Sequence, residues 1–227
     1  MLIVFGLMFI IALAVLPSLW VRAVIARHGA DRTDLPGTGG ELARHLLDAM
    51  GLAGVKVEET ALGDHYDPEA KAVRLLPDRF RGRSLSAAVI AAHEVGHAMQ
   101  DATGSRLLKS RTRLAKTAII IERVGSIVML ASPLLAAVMR HPAGMLMELG
   151  AGLLILGMGV VLHLTTLPVE FDASFNRALP ILEAGRYIPE RDLPAARSIL
   201  RAAAFTYVAA ALMSLINVAR WLRVLRI

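Results

Sequence analysis

The sequence contains no cysteine in 227 residues. Disulfides, zinc ribbons, iron–sulfur clusters and thiol catalysis are therefore excluded, and any metal must be held by histidine and carboxylate. Charge is also scarce. Asp, Glu, Lys and Arg make up 19% of the chain against 56% hydrophobic residues, and mean hydropathy is +0.56. A soluble domain of this length carries more charge, so the apolar excess belongs in membrane spans. There is no internal repeat and no low-complexity tract. The net charge is +6, but no recognised nucleic-acid motif accompanies it. In so apolar a chain the basic residues read as span-end residues beside anionic lipid headgroups; no nucleic-acid partner is expected.

Four stretches reach the length of about 20 mostly apolar residues that a span needs. They are Leu2 to Val21, Ala118 to Val138, Met145 to Leu167 and Ala202 to Trp221. The first lacks the basic flank of a secretory signal and is too long for one. Trp221, between Arg220 and Arg223, reads as an interfacial anchor. The chain thus divides into a first span (1–21), a polar segment (22–117), a hairpin of two spans (118–167), a second polar segment (168–201), and a last span with a basic tail (202–227). Arg22 to Lys116 holds 15 of the 25 basic residues. The positive-inside bias therefore places both polar segments in the cytoplasm.

Within the first polar segment, Thr38 to Met50 reads as an amphipathic helix with Leu42, Leu46 and Leu47 on one face and Gly51 at its end. Val55 to Glu59 alternates like a strand. Asp67-Pro68-Glu69 is a turn signal between His65-Tyr66 and a second strand, Ala72 to Leu76. If that strand forms the sheet edge, it can hold an extended peptide by backbone pairing. A helix follows from Ser84, a good N-cap, to about Ala102, with Gly104 as its stop.

That helix carries His93-Glu94-Val95-Gly96-His97, an H-E-x-x-H pattern. Residues four apart share a helix face, so His93 and His97 can offer two imidazoles to one ion, and zinc accepts imidazole nitrogen well. Glu94 sits beside them, placed to reach a water on the ion and to serve as general base. The small residues Ala91, Ala92, Gly96 and Ala98 leave room for the ion. A catalytic zinc needs a third protein ligand, and His163, Glu170, Asp172, Glu183 and Glu190 are the candidates. The hairpin of spans two and three returns to the face it left, so Pro168-Val169-Glu170-Phe171-Asp172 emerges at the membrane edge where the active helix should dock. A carboxylate beside an apolar span needs a partner. This favours Glu170, with His163 in reserve. Asp172 is a candidate partner for the other nitrogen of a ligating histidine. Asp64, His65 and Asp67 form a further polar cluster that turn chemistry explains better than a second metal.

The chain resembles the YugP-type neutral zinc metallopeptidases, small integral membrane proteins, over nearly its full length. The pieces that match are Gly63-Asp64-His65-Tyr66-Asp67-Pro68, Ala91 to Gln100, Leu167 to Ala173, and Ala202 to Ala211. The resemblance implies a gluzincin-like site in which His93, His97 and Glu170 bind zinc. It is similar also to HtpX-type and prenyl-protein peptidases, whose third ligand lies in E-x-x-A-D. Here Glu170 and Ala173 fit, but Ser174 stands in the place of that Asp. Tyr207, in the last matching piece, is a candidate oxyanion donor or a packed span tyrosine. His65, in the first, is a candidate substrate or supporting residue.

These readings give a mainly α integral membrane protein with about four transmembrane helices and a small α+β zincin-like segment. The expected function is a zinc endopeptidase with one zinc ion per chain, anchored in a bacterial plasma membrane with its site facing the cytoplasm. Its partners are protein or peptide substrates, membrane proteins among them, and the lipid bilayer. Two other classes compete. A structural zinc would need four protein ligands and no base, which leaves Glu94 without a task. A transporter would use Glu122 and His163 along a pathway, but the histidine motif lies outside the spans.

Overall fold

The computed structural model describes residues 2–139 and 143–224, with side-chain surroundings for 15–128, 130–131, 150–155, 157–208 and 210–211. The protein is mostly helical with one three-stranded sheet. Its elements are α1 (Leu2–Arg27), α2 (Gly39–Ala49), β1 (Lys56–Glu59), β2 (His65–Asp67), β3 (Ala72–Leu75), α3 (Pro77–Phe80), α4 (Leu85–Ala102), α5 (Arg106–Met139) and α6 (Ala143–Phe171). A π-helical stretch, Asp172–Ala178, continues α6 into α7 (Leu179–Ala184). A 3-10 turn, Glu190–Asp192, leads into α8 (Leu193–Val224). The chain forms two compact units, one of residues 16–109 and 167–206, the other of residues 1–15, 110–166 and 207–227.

In the first unit α4 is the central element. Ser84 Oγ accepts the Ala87 N–H at 3.1 Å, and Gly104, at φ +69°, follows the helix end in the left-handed region that glycine tolerates best. From Leu85 to Ala98 every residue of α4 is buried, as expected of a helix surrounded by protein. α2 packs against it, started by a capping box in which the Glu41 N–H donates to Thr38 Oγ and the Thr38 N–H to Glu41 Oε2. Leu46 and Leu47 of α2 are fully buried in the core with Leu75, Val89 and Val95. Burial of each leucine contributes on the order of 2 kcal/mol.

The sheet has the order β1-β3-β2. β1 pairs parallel with β3, Lys56 opposite Ala72, and β2 pairs antiparallel, His65 opposite Arg74. The condition on which the Ala72 strand could hold a peptide, that it forms the sheet edge, is therefore not met. Ala72, Val73 and Leu75 are too apolar for an edge, are fully buried, and take a partner strand on each side. As the central strand, β3 offers no open edge to an added peptide strand.

In the second unit, Gly125 of α5 lies against the Ile155 side chain of α6. Large apolar side chains on these helices stand exposed, among them Ile127 at 66% and Leu130 at 85%. Among the described residues one continuous helical run, Gly150–Ala184, is long and apolar enough to cross a membrane. The expectation of four spans is therefore not supported by them. The other three apolar stretches are helical in their backbone, but many of their side chains lie outside the described residues.

Candidate metal centre

One turn of α4 separates His93 from His97, so their rings share a face and meet edge to face, centroids 4.7 Å apart. The end of α6 brings Glu170 against both. A single oxygen, Glu170 Oε2, lies 3.1 Å from His93 Nε2 and 3.4 Å from His97 Nε2. All three residues are buried, and their candidate ligand atoms lie within 4.8 Å of one another. Donors at about 2.0–2.1 Å from a tetrahedral zinc are about 3.3–3.4 Å apart. Both separations are close to that spacing, so the cluster is able to hold a metal ion, and two imidazoles with a carboxylate are a donor set that suits zinc.

The far nitrogen of each ring is also engaged. His93 Nδ1 lies 3.1 Å from Ser174 Oγ, and His97 Nδ1 lies 2.9 Å from Gln100 Oε1. Gln100 Nε2 in turn donates to the Val169 carbonyl and to Asp172 Oδ2, each at 2.8 Å. Asp172 is thus not the direct partner of a histidine. Its carboxylate is occupied by Gln100, by Arg177 Nε at 2.9 Å and by Asn176 Nδ2 at 3.1 Å, and the amide of Gln100 stands between it and His97.

Gly96 proves to leave room for backbone. A Cβ on it would lie 2.7 Å from the Ala173 carbonyl oxygen. The glycine lets the π-helical stretch cross α4 closely enough for Ser174 to reach His93. In this arrangement burial draws the His97 pKa down, but the charge and hydrogen bond of Glu170, with the charge of Glu94, outweigh it and raise it to about 9.

Glu94 is 5% exposed and takes no hydrogen bond from any described residue. Burial raises its pKa, the two histidines oppose this, and the charges of Glu170 and Asp64 add to it. It is a buried carboxylate beside the His93–His97–Glu170 cluster with a raised proton affinity.

Residues 2–226 match the family described as "Putative neutral zinc metallopeptidase". The chain belongs to that family. It is 38% identical over 189 residues to the "Putative membrane protease YugP" of Bacillus subtilis (strain 168), an alignment that covers 82% of this chain and 80% of that protein. No solved structure matches. The resemblance read from the four sequence pieces is borne out.

The most distinctive of those pieces, Asp64 to Pro68, holds the sheet together. Asp64 Oδ1 accepts the Leu76 N–H at 2.7 Å, and Asp67 Oδ1 accepts the N–H groups of Glu69 and Ala70. Tyr66 donates its hydroxyl to Asp101 Oδ2 at 2.7 Å, beside Lys71 Nζ. His65 Nδ1 bonds to Gly63 O within its own turn at 2.8 Å; no described hydrogen bond joins it to His93, His97 or Glu170. His163 and Tyr207 belong to the other compact unit.

Sequence reasoning passed over Gln100 and the contact of Ser174. Both had a signal. Gln100 lies three residues after His97, its partner, and Ser174 four after Glu170, so helical spacing sets Ser174 on the side of its segment that Glu170 turns to the histidines.

Proposed function

We propose that the chain is a gluzincin-type zinc endopeptidase, integral to a bacterial plasma membrane, that hydrolyses peptide bonds close to the bilayer. One observation carries this reading: a single Glu170 oxygen at metal-edge spacing from both His93 and His97. His93, His97 and Glu170 hold one zinc ion per chain. Bound there, the ion supplies Lewis-acid polarisation and acidifies water. Glu94 takes the proton of the attacking water on its carboxylate and returns it to the leaving amine nitrogen. Its raised proton affinity suits both halves of that task.

Glu94 also favours catalysis over a structural zinc. A buried carboxylate with no hydrogen-bond donor among the described residues does not serve the fold. Membrane integration rests on the helical run Gly150–Ala184 and on the exposed apolar side chains of α5 and α6. By sequence length and composition alone, the apolar stretches of α1, α5 and α8 are read as three further spans. The basic bias of segments 22–117 and 168–201 puts the site on the cytoplasmic face. Glu170 follows directly on the apolar run of α6, so membrane proteins and segments released from them are the substrates this placement suits.

The test compares purified wild type with Glu94→Gln in detergent, measuring zinc per chain and cleavage of unfolded casein. The variant is expected to keep its zinc and lose cleavage by about 100-fold or more. Equal cleavage by both proteins would remove Glu94 as the base. A wild type that holds no zinc under metal-replete conditions would sink the reading.

A further inference from the structure

Gln100 is fully buried, at 0% exposure, on the same helix as the two histidines. A buried side-chain amide must satisfy a carbonyl oxygen and an NH2 group, and its partners decide which way it points. Here they leave no choice. The Val169 carbonyl and the Asp172 carboxylate, each 2.8 Å from one end of the amide, can only accept. That end is the NH2 group. The other end is the oxygen, and it lies 2.9 Å from His97 Nδ1. An amide oxygen cannot donate, so His97 must carry its proton on Nδ1. A neutral imidazole so held has its lone pair on Nε2, the nitrogen that faces Glu170.

The same amide bridges two elements. Val169 and Asp172 flank Glu170 in sequence, one residue before it and two after. One side chain on α4 therefore fixes the ring of His97 and grips the chain on both sides of Glu170. Arg177 and Asn176 hold the far end by donating to the two oxygens of Asp172. The hydrogen bonds run from His97 to the Gln100 oxygen and from the Gln100 NH2 group to the Asp172 carboxylate, which accepts from Arg177 and Asn176 as well.

We infer that Gln100 is a positioning residue for the metal centre: it locks His97 in the Nδ1–H tautomer and clamps the Glu170 segment against α4 at metal-binding distance. The inference rests on the zinc reading above and deepens it.

The hydrogen-bond direction makes it testable. Gln100→Leu removes both ends of the clamp. Gln100→Glu keeps an oxygen toward His97 but turns a second oxygen on the Val169 carbonyl and the Asp172 carboxylate. Adding Asp172→Asn to Gln100→Glu offers that second oxygen an amide donor, at the cost of the bond that Arg177 Nε makes to the same Asp172 oxygen, and so restores the contact in part. Zinc dissociation constants, measured by chelator competition, are expected to rise about 10- to 100-fold in both single Gln100 variants. The double variant should recover part of the loss suffered by Gln100→Glu. In zinc-loaded wild type the His97 Nδ1–H should be protected from solvent exchange by NMR. In Gln100→Leu it should exchange fast while the His93 signal persists. If Gln100→Leu fails to fold, the single and double Gln100→Glu proteins carry the test. Zinc affinities within twofold of wild type, or a double variant no better than Gln100→Glu, would overturn the clamp while a zinc-loaded, casein-cleaving wild type left the peptidase reading standing. A wild type without zinc would overturn both.

Discussion

Gly96 lies under the carbonyl oxygen of Ala173, so close that a Cβ on the glycine would sit 2.7 Å from it. The contact joins the two pieces of chain that carry the candidate ligands. Within a helix, Gly→Ala is ordinarily favourable by about 1 kcal/mol. Here the added methyl meets backbone, which cannot turn aside, and overpacking of this kind costs about 1–3 kcal/mol. Gly96→Ala is expected to lower the melting temperature and weaken zinc binding at least tenfold. Gly54→Ala, where nothing lies within 4 Å, should do neither. A Gly96→Ala protein with wild-type melting and zinc affinity would show that the approach of the two segments is not tight.

Choice among the five candidate third ligands yields a second prediction. Glu170 is 3% exposed and faces both imidazoles. Glu170→Gln should leave the helix content unchanged and reduce bound zinc to a small fraction of one per chain, because an amide oxygen is a weak ligand without charge. His163→Ala should leave zinc stoichiometry unchanged. Loss of zinc in His163→Ala and retention in Glu170→Gln would reverse the assignment.

Local signals made much of this legible in the sequence. Ser84 and Gly104 bounded the active helix, and Thr38 and the paired leucines of α2 marked its packing partner, because capping and periodicity act over a few residues. His93 and His97 were legible for the same reason. Glu170 lies 73 positions beyond His97 in the sequence, and the hairpin topology and the family resemblance, not local spacing, pointed to it. The place of β3 in the sheet was not legible. A strand of Ala72, Val73 and Leu75 looks alike at an edge or in the centre, and β1, which flanks it through a parallel pairing, is defined by long-range contacts that alternation does not reveal. The role of Gly96 was misread for a related reason. Smallness can serve an ion or a backbone, and the Ala173 carbonyl that decides between them comes from a distant segment.

Proton competition at the centre has a calculable sign. In the metal-free protein the His97 pKa is raised to about 9, burial lowering it and Glu170 and Glu94 raising it more. Below about pH 9 the ring carries a proton that zinc must displace. Zinc binding at pH 7 should therefore release about one proton from His97, and apparent affinity should rise about tenfold per pH unit until that pKa is passed. Linkage adds a stability effect. A histidine pKa raised above its unfolded value of about 6.5 stabilises the metal-free fold fully below that pH, and the contribution is lost as pH rises through about 9. Titration calorimetry in buffers of differing ionisation enthalpy measures the proton count. Zinc uptake with no proton release at pH 7 would contradict the arrangement.

The Asp64–Pro68 piece closes on a stability prediction, because its contacts serve the sheet. Tyr66 is 7% exposed and donates its hydroxyl to Asp101 Oδ2 at 2.7 Å, which pins β2 to the last turn of α4. Burial, followed by the hydrogen bond and charge of Asp101, raises the Tyr66 pKa above its ordinary value, so the phenol stays a donor throughout the neutral range. A hydrogen bond to a charged group contributes about 1.5–3 kcal/mol. Lys71 already compensates the same carboxylate oxygen, so the lower end of that range applies. Tyr66→Phe should cost about 1.5 kcal/mol in urea unfolding of the detergent-solubilised protein, with zinc stoichiometry and cleavage per folded molecule unchanged. Asp101→Asn should cost as much or more, since it also removes the partner of Lys71. A Tyr66→Phe protein of full stability that has lost its cleavage would instead put the phenol in the reaction and this motif in the active site.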